Sequence, residues 1–66
     1  MTPDEYRAAI AELGLSQNAA GRFFGVHEVT GREWAKRGPP PCVSKFLRLM
    51  IALKFTPEYV SRVLGE

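Results

Sequence analysis

One cysteine, one histidine and no long apolar run leave this 66-residue chain without most devices by which a small protein secures a fold or performs chemistry. Cys42 has no second cysteine to pair with, so no intrachain disulfide can form. With His27 as the sole histidine, an ordinary Cys/His zinc site is excluded too. No apolar stretch approaches the roughly 18 residues of a membrane span. The opening Met-Thr-Pro-Asp-Glu lacks the basic-then-apolar order of a secretion signal. Together these predict a cytoplasmic protein without a membrane partner. A glycine-rich phosphate loop is missing. The serines, Cys42 and His27 show no spacing of nucleophile and base. No enzymatic activity, no cofactor and no small-molecule effector are therefore expected.

What the chain has is enough length for one domain, taken as residues 1–66. Such a domain buries only about 60% of the surface its unfolded chain exposes, so its stability is marginal. With disulfides and zinc excluded, oligomerisation is the expected extra support. The net charge is only +2, but it is unevenly spread. Residues 16–48 carry six basic groups (Arg22, Arg32, Lys36, Arg37, Lys45, Arg48) against Glu28 and Glu33, a balance of +4. The remainder carries Arg7, Lys54 and Arg62 against five acids, a balance of −2. A basic segment of this kind is a footprint expected for phosphate contact.

The periodicity predicts five helices and no strand. Thr2-Pro3-Asp4-Glu5 opens the first with an N-cap, a proline at the first helical position and a capping box. Tyr6, Ile10 and Leu13 form its apolar stripe, and Gly14 stops it. Ser16 caps a second helix reaching Phe24, with Ala20, Phe23 and Phe24 facing inward. Gly25 ends it by tolerating positive φ, and Val26 fills the angle before a third helix at about Glu28–Arg37, anchored by a buried Trp34. Gly38 and Pro39-Pro40-Pro41 end that helix. A fourth covers about Cys42–Lys54. Its apolar residues span roughly 200°, where packing on one core needs a little over 100°. Thr56-Pro57-Glu58 begins a fifth, with Val60, Val63 and Leu64 on its apolar side. Gly31 in the middle of the third helix costs about 1 kcal/mol relative to alanine. Small residues Ala20 and Gly21 let the third helix approach the second closely, yet Gly31 and Gly21 with the unusual cap His27 predict a third helix held loosely.

Two short helices meeting at Gly25-Val26, the second ending in Lys36-Arg37, are how a chain builds a helix-turn-helix over residues 17–37. Ser16-Gln17, Gly25-Val26, Thr30, Trp34 and the Gly38-Pro39 exit resemble the motif of the Cro and phage-repressor family of small bacterial regulators. With the leading helix and the trailing apolar one, the resemblance covers residues 4 to 54. It implies an all-α, five-helix, lambda-repressor-like bundle and a double-stranded DNA operator as partner. By position it implies that Gln17 meets a phosphate, as helix N-termini favour. His27, Glu28, Val29, Arg32 and Glu33 fall where such helices meet bases or nearby phosphates. Arg32 can fork onto guanine, a glutamate can accept from cytosine N4, and Val29 can touch a thymine methyl. Thr30, Lys36 and Arg37 suit backbone contacts, while Lys45 and Arg48 either do the same or form a solvated face. Glu28 and Glu33 have a second reading, because Arg32 and Arg37 lie four residues on, and helix-surface pairs at that spacing are worth a few tenths of a kcal/mol.

One recognition helix supplies limited base contact, so the leading expectation is a homodimeric repressor on a palindromic operator, its half-sites about one DNA turn apart. The surplus apolar arc makes Leu49, Leu53, Val60 and Leu64 the candidate dimer interface. Two alternatives use the same scaffold. One is a protein-interaction module or antitoxin. The other is an excisionase-like architectural DNA binder, suggested by Val29 to Pro41.

Overall fold

The computed structural model describes residues 1–65 as five helices: α1 (Pro3–Glu12), α2 (Gln17–Phe23), α3 (Glu28–Arg37), α4 (Pro41–Leu53) and α5 (Pro57–Leu64). The described residues contain no strand. The all-α five-helix bundle expected from the periodicity is the architecture found.

Local chemistry sets the helix starts. The Glu5 N–H donates to Thr2 Oγ1 at 3.1 Å, and the Thr2 N–H donates to Glu5 Oε1 at 2.7 Å, completing the capping box. Hydrogen bonds from the Thr2 backbone, and then from its hydroxyl, hold the Glu5 carboxyl below its ordinary value. Ser16 and Thr56 cap α2 and α5, accepting from the Ala19 and Tyr59 N–H groups at 3.0 Å each. α4 starts one residue earlier than expected, because the fixed φ of Pro41 is already helical.

The helix ends differ in how easily they turn. α2 closes one residue short of expectation. The Val26 N–H reaches back to the Gly21 carbonyl (2.9 Å) and the Gly25 N–H to that of Arg22 (3.0 Å), a Schellman ending with Gly25 at φ +74°. α4 ends by the same pattern, but Lys54 takes the left-handed position at φ 59°. A residue with a Cβ is disfavoured there.

The core gathers Tyr6, Ala9, Ile10, Ala20, Ala35, Val43 and Leu47 from α1 to α4. Tyr6, Leu47 and Met50 are the largest side chains removed from water. Full burial of a Leu- or Met-sized side chain is worth roughly 1.5–3 kcal/mol. Trp34 is half-buried, against the expectation of a buried anchor, and packs on the core from its edge. It makes edge-on contacts with Tyr6 and Phe24. Phe24 continues the aromatic chain to Phe46 and Phe23, which are likewise only half-buried. Arg7 ties α1 to α3 by donating to the Ala35 carbonyl.

α5 is attached differently. Only Pro57 and Val60 are buried on it. Val60, expected on the dimer face, is 7% exposed, whereas Leu64 is 63% exposed. The short α5 needs its mid-helix valine as the anchor on the bundle, so Val60 leaves the candidate interface. Among the described residues, no helix is long and apolar enough to cross a membrane.

Candidate nucleic-acid interface

The pair α2–α3 is built around two glycines. A Cβ added at Gly31 would stand 2.6 Å from the Gln17 carbonyl oxygen, 2.8 Å from the Gly21 nitrogen and 2.9 Å from the Gly21 Cα. One added at Gly21 would stand 3.0 Å from the His27 carbonyl oxygen. All these neighbours are backbone, which cannot swing aside as a side chain can. Gly31 therefore permits the backbones to touch: the residue expected to loosen the third helix is the one that lets it pack against α2. The local helix-propensity cost of glycine is real, but contact with α2 decides the outcome. Below the contact, the buried Tyr6 hydroxyl donates to the Gly31 carbonyl at 3.4 Å. Burial pushes the Tyr6 phenol above its ordinary value.

Two polar links flank the glycine contact. Arg32 Nη1 donates to Asn18 Oδ1 at 2.8 Å, and Arg22 pairs with Glu28. Asn18, Gly21 and Arg22 lie on one face of α2 at helical spacing; Arg32, Gly31 and Glu28 oppose them on α3. The anticipated Glu28–Arg32 pair does not form, because close approach of the helices offers each residue a partner on α2. Glu33 does pair within its helix, at 3.4 Å from Arg37 Nε and 4.0 Å from Lys36 Nζ.

This arrangement alters the charge balance of the outer face. Both acids of α3 have basic partners, and one of those partners, Arg22, comes from outside the helix. Among the described residues Arg32 faces no acid partner, and its hydrogen bond is to a neutral amide. Lys36 and Arg37 are exposed at the end of α3. At its start, the Val29 N–H donates to His27 Nδ1 at 3.1 Å, so His27 is a cap as expected. With Nδ1 accepting, the ring proton resides on Nε2, which remains a donor. Val29 is 47% exposed, a large apolar side chain left in water on a polar helix. Thr30 is half-buried.

Gln17, the first residue of α2, is exposed, and its carbonyl abuts Gly31. The fold thus brings the start of α2 beside the middle of α3. Lys45 and Arg48 are exposed on α4, and the charge of Arg48 is felt by Glu5 at the start of α1. Asn18 and Arg22 had no assigned contact in the sequence reading. The signal that could have found them is their position around Gly21, each one helical turn or less from a glycine needed for close packing.

The α4–α5 surface carries the second candidate site. Leu49, Leu53 and Leu64 are all exposed, as the candidate interface requires. Phe55, Tyr59 and Val63 join them, with Phe55 and Tyr59 in ring contact at 5.1 Å between centroids. Phe46, Leu49, Phe55, Tyr59, Val63 and Leu64 line an apolar groove of about 240 Å³. A second open cleft of about 380 Å³ lies between the end of α2, the start of α4 and α5, with Arg22 and the exposed Cys42 on its wall.

Comparison of the chain with protein-family models, with curated proteins and with solved structures returns no match.

Proposed function

We propose that this chain is a sequence-specific double-stranded DNA-binding regulator, a homodimeric repressor that lays α3 in the major groove of a palindromic operator. The observation carrying this reading is the glycine-to-glycine contact of α2 and α3. A recognition helix must keep its register when it meets base edges, and a backbone contact between Gly21 and Gly31 supplies that rigidity without using the outer face. That face presents His27, Val29, Arg32, Lys36 and Arg37 with its acids already paired. The likeness of Ser16-Gln17, Gly25-Val26, Thr30, Trp34 and Gly38-Pro39 to Cro-type motifs supports the same assignment. Gln17 and Thr30 serve as phosphate contacts, and Glu28 at the start of α3 and Glu33 in its middle remain within reach of bases.

In this reading the second copy covers the exposed Leu49, Leu53 and Leu64, together with Phe55, Tyr59 and Val63. Dimerisation doubles the base contact across half-sites about 34 Å apart. The same apolar patch favours one alternative, an interaction module or antitoxin whose α4–α5 face receives a different protein. An excisionase-like binder has less support, since such folds add a β-wing and the described residues hold no strand.

Selection of bound duplexes from a random pool tests the proposal. Enrichment of a two-fold-symmetric site, with affinity falling steeply as salt rises, is the expected result. Failure to enrich any sequence at moderate salt removes it. Leu49→Glu and Leu53→Glu are expected to sediment as monomers with unchanged helicity; a dimer persisting in both excludes this face.

A further inference from the structure

We propose that Asn18 is a positioning residue that makes Arg32 a reader of guanine; the inference rests on the DNA-binding function proposed above. Arginine has a long, flexible side chain, and an exposed one samples many rotamers before it meets a base. Selective contact with one base edge requires that freedom to be limited in advance. Asn18 does this from the neighbouring helix. Its Oδ1 accepts from Arg32 Nη1 at 2.8 Å, across the contact that Gly21 and Gly31 make possible. Asn18 is half-buried against the pair, whereas Arg32 is exposed.

The chemistry of the fork gives the bond its consequence. A guanidinium has five N–H donors in one plane. Anchoring Nη1 narrows the orientations open to the plane and leaves the Nε–Nη2 edge out of the bond. Two parallel N–H donors on such an edge match the O6 and N7 acceptors of guanine, and no other base presents that pair in the major groove. The partner is a neutral amide, so the full positive charge of Arg32 remains for DNA. A carboxylate in the same place would hold the fork but cancel the charge. Arg22 provides the contrast within the same helix pair. Its partner is the carboxylate of Glu28, so that link carries no net charge.

Random-pool selection with the wild type, Arg32→Ala, Asn18→Ala and Asn18→Asp tests this. The wild type is expected to enrich a site with a guanine at one position of each half-site, and Arg32→Ala to lose the preference at that position alone. Asn18→Ala is expected to lose about tenfold of the same preference. Its affinity for random duplex and its salt slope are expected to be unchanged, since no phosphate contact is removed. Asn18→Asp keeps the acceptor and is expected to retain the guanine preference while binding all sequences more weakly. Circular dichroism confirms that each variant is folded. If Asn18→Ala selects guanine as strongly as the wild type, or loses affinity uniformly over all sequences, Asn18 does not position Arg32. If Arg32→Ala leaves base preference intact, the assignment of Arg32 falls as well. If the wild type enriches no sequence, the DNA-binding reading itself fails and this inference with it.

Discussion

The contact between α2 and α3 and the junction between α4 and α5 represent two ways of joining helices. At the first, side chains are absent where the helices meet, the backbones touch, and polar links stand on both sides. At the second, α5 is held by Pro57 and Val60, while six large apolar side chains around it stay in water. The first is complete within one chain. The second leaves apolar surface whose burial would be favourable and finds no cover for it. The difference teaches that one short chain can close one helix joint fully and leave another with apolar surface in water. The proposed reading helix is fixed, and the proposed partner surface is left open.

The largest effect that can break this comparison is expected from Gly31→Ala. The added methyl meets backbone at 2.6 Å, and overpacking of this kind costs about 1–3 kcal/mol. For a domain of this size that corresponds to a fall in Tm of the order of 4–8 °C per kcal/mol, read by thermal denaturation. An unchanged or raised Tm would mean that the helix pair is elastic after all. Next in size is Lys54→Gly at the α4–α5 junction. Removing the Cβ from a left-handed residue is expected to stabilise the fold by about 1 kcal/mol. A loss in urea denaturation would show that the Lys54 side chain contributes more than its backbone strain takes away. Together the two substitutions remove a needed glycine at one joint and supply one at the other.

A smaller effect is expected at the Arg22–Glu28 link. Both side chains are substantially exposed, so a double-mutant cycle should give a coupling of about 0.2–1 kcal/mol, weakening with salt. Zero coupling would leave the glycine contact and the Asn18–Arg32 bond as what holds the close approach. The least effect at neutral pH concerns Tyr6. Its burial raises the phenol above its ordinary value of 10.0. The unfolded chain ionises first, so the stabilising contribution is complete below pH 10 and is lost as pH rises through the folded-state value. An alkaline urea series should show this loss in the wild type and a reduced loss in Tyr6→Phe. Equal losses would place the cause elsewhere.

Much of the candidate interface could be read in advance because it follows from local rules. The start of α3 at Glu28, its end at Arg37, the cap made by His27 and the turn at Gly25 all depend on residues within a few positions of one another. Glu33–Arg37 formed for the same reason. Apart from one-residue shifts at the end of α2 and the start of α4, the main expectations that failed depended on a residue of another helix. Gly31 reads as a weak point until the carbonyl of Gln17 is set against it. Glu28 and Arg32 look like partners until α2 supplies closer ones. Val60 and Leu64 belong to one apolar stripe, yet only the first faces the bundle.

Sequence alone determined that this chain is helical, where its helices begin, and that its positive charge gathers over residues 16–48. Capping, proline geometry and apolar periodicity act over one or two turns, and composition is independent of folding. Tertiary structure decided which glycines are helix contacts, which bases the acids of α3 pair with, and which face of α5 is left uncovered. Those outcomes depend on distances between segments far apart in the chain, and such distances exist only once the helices have packed.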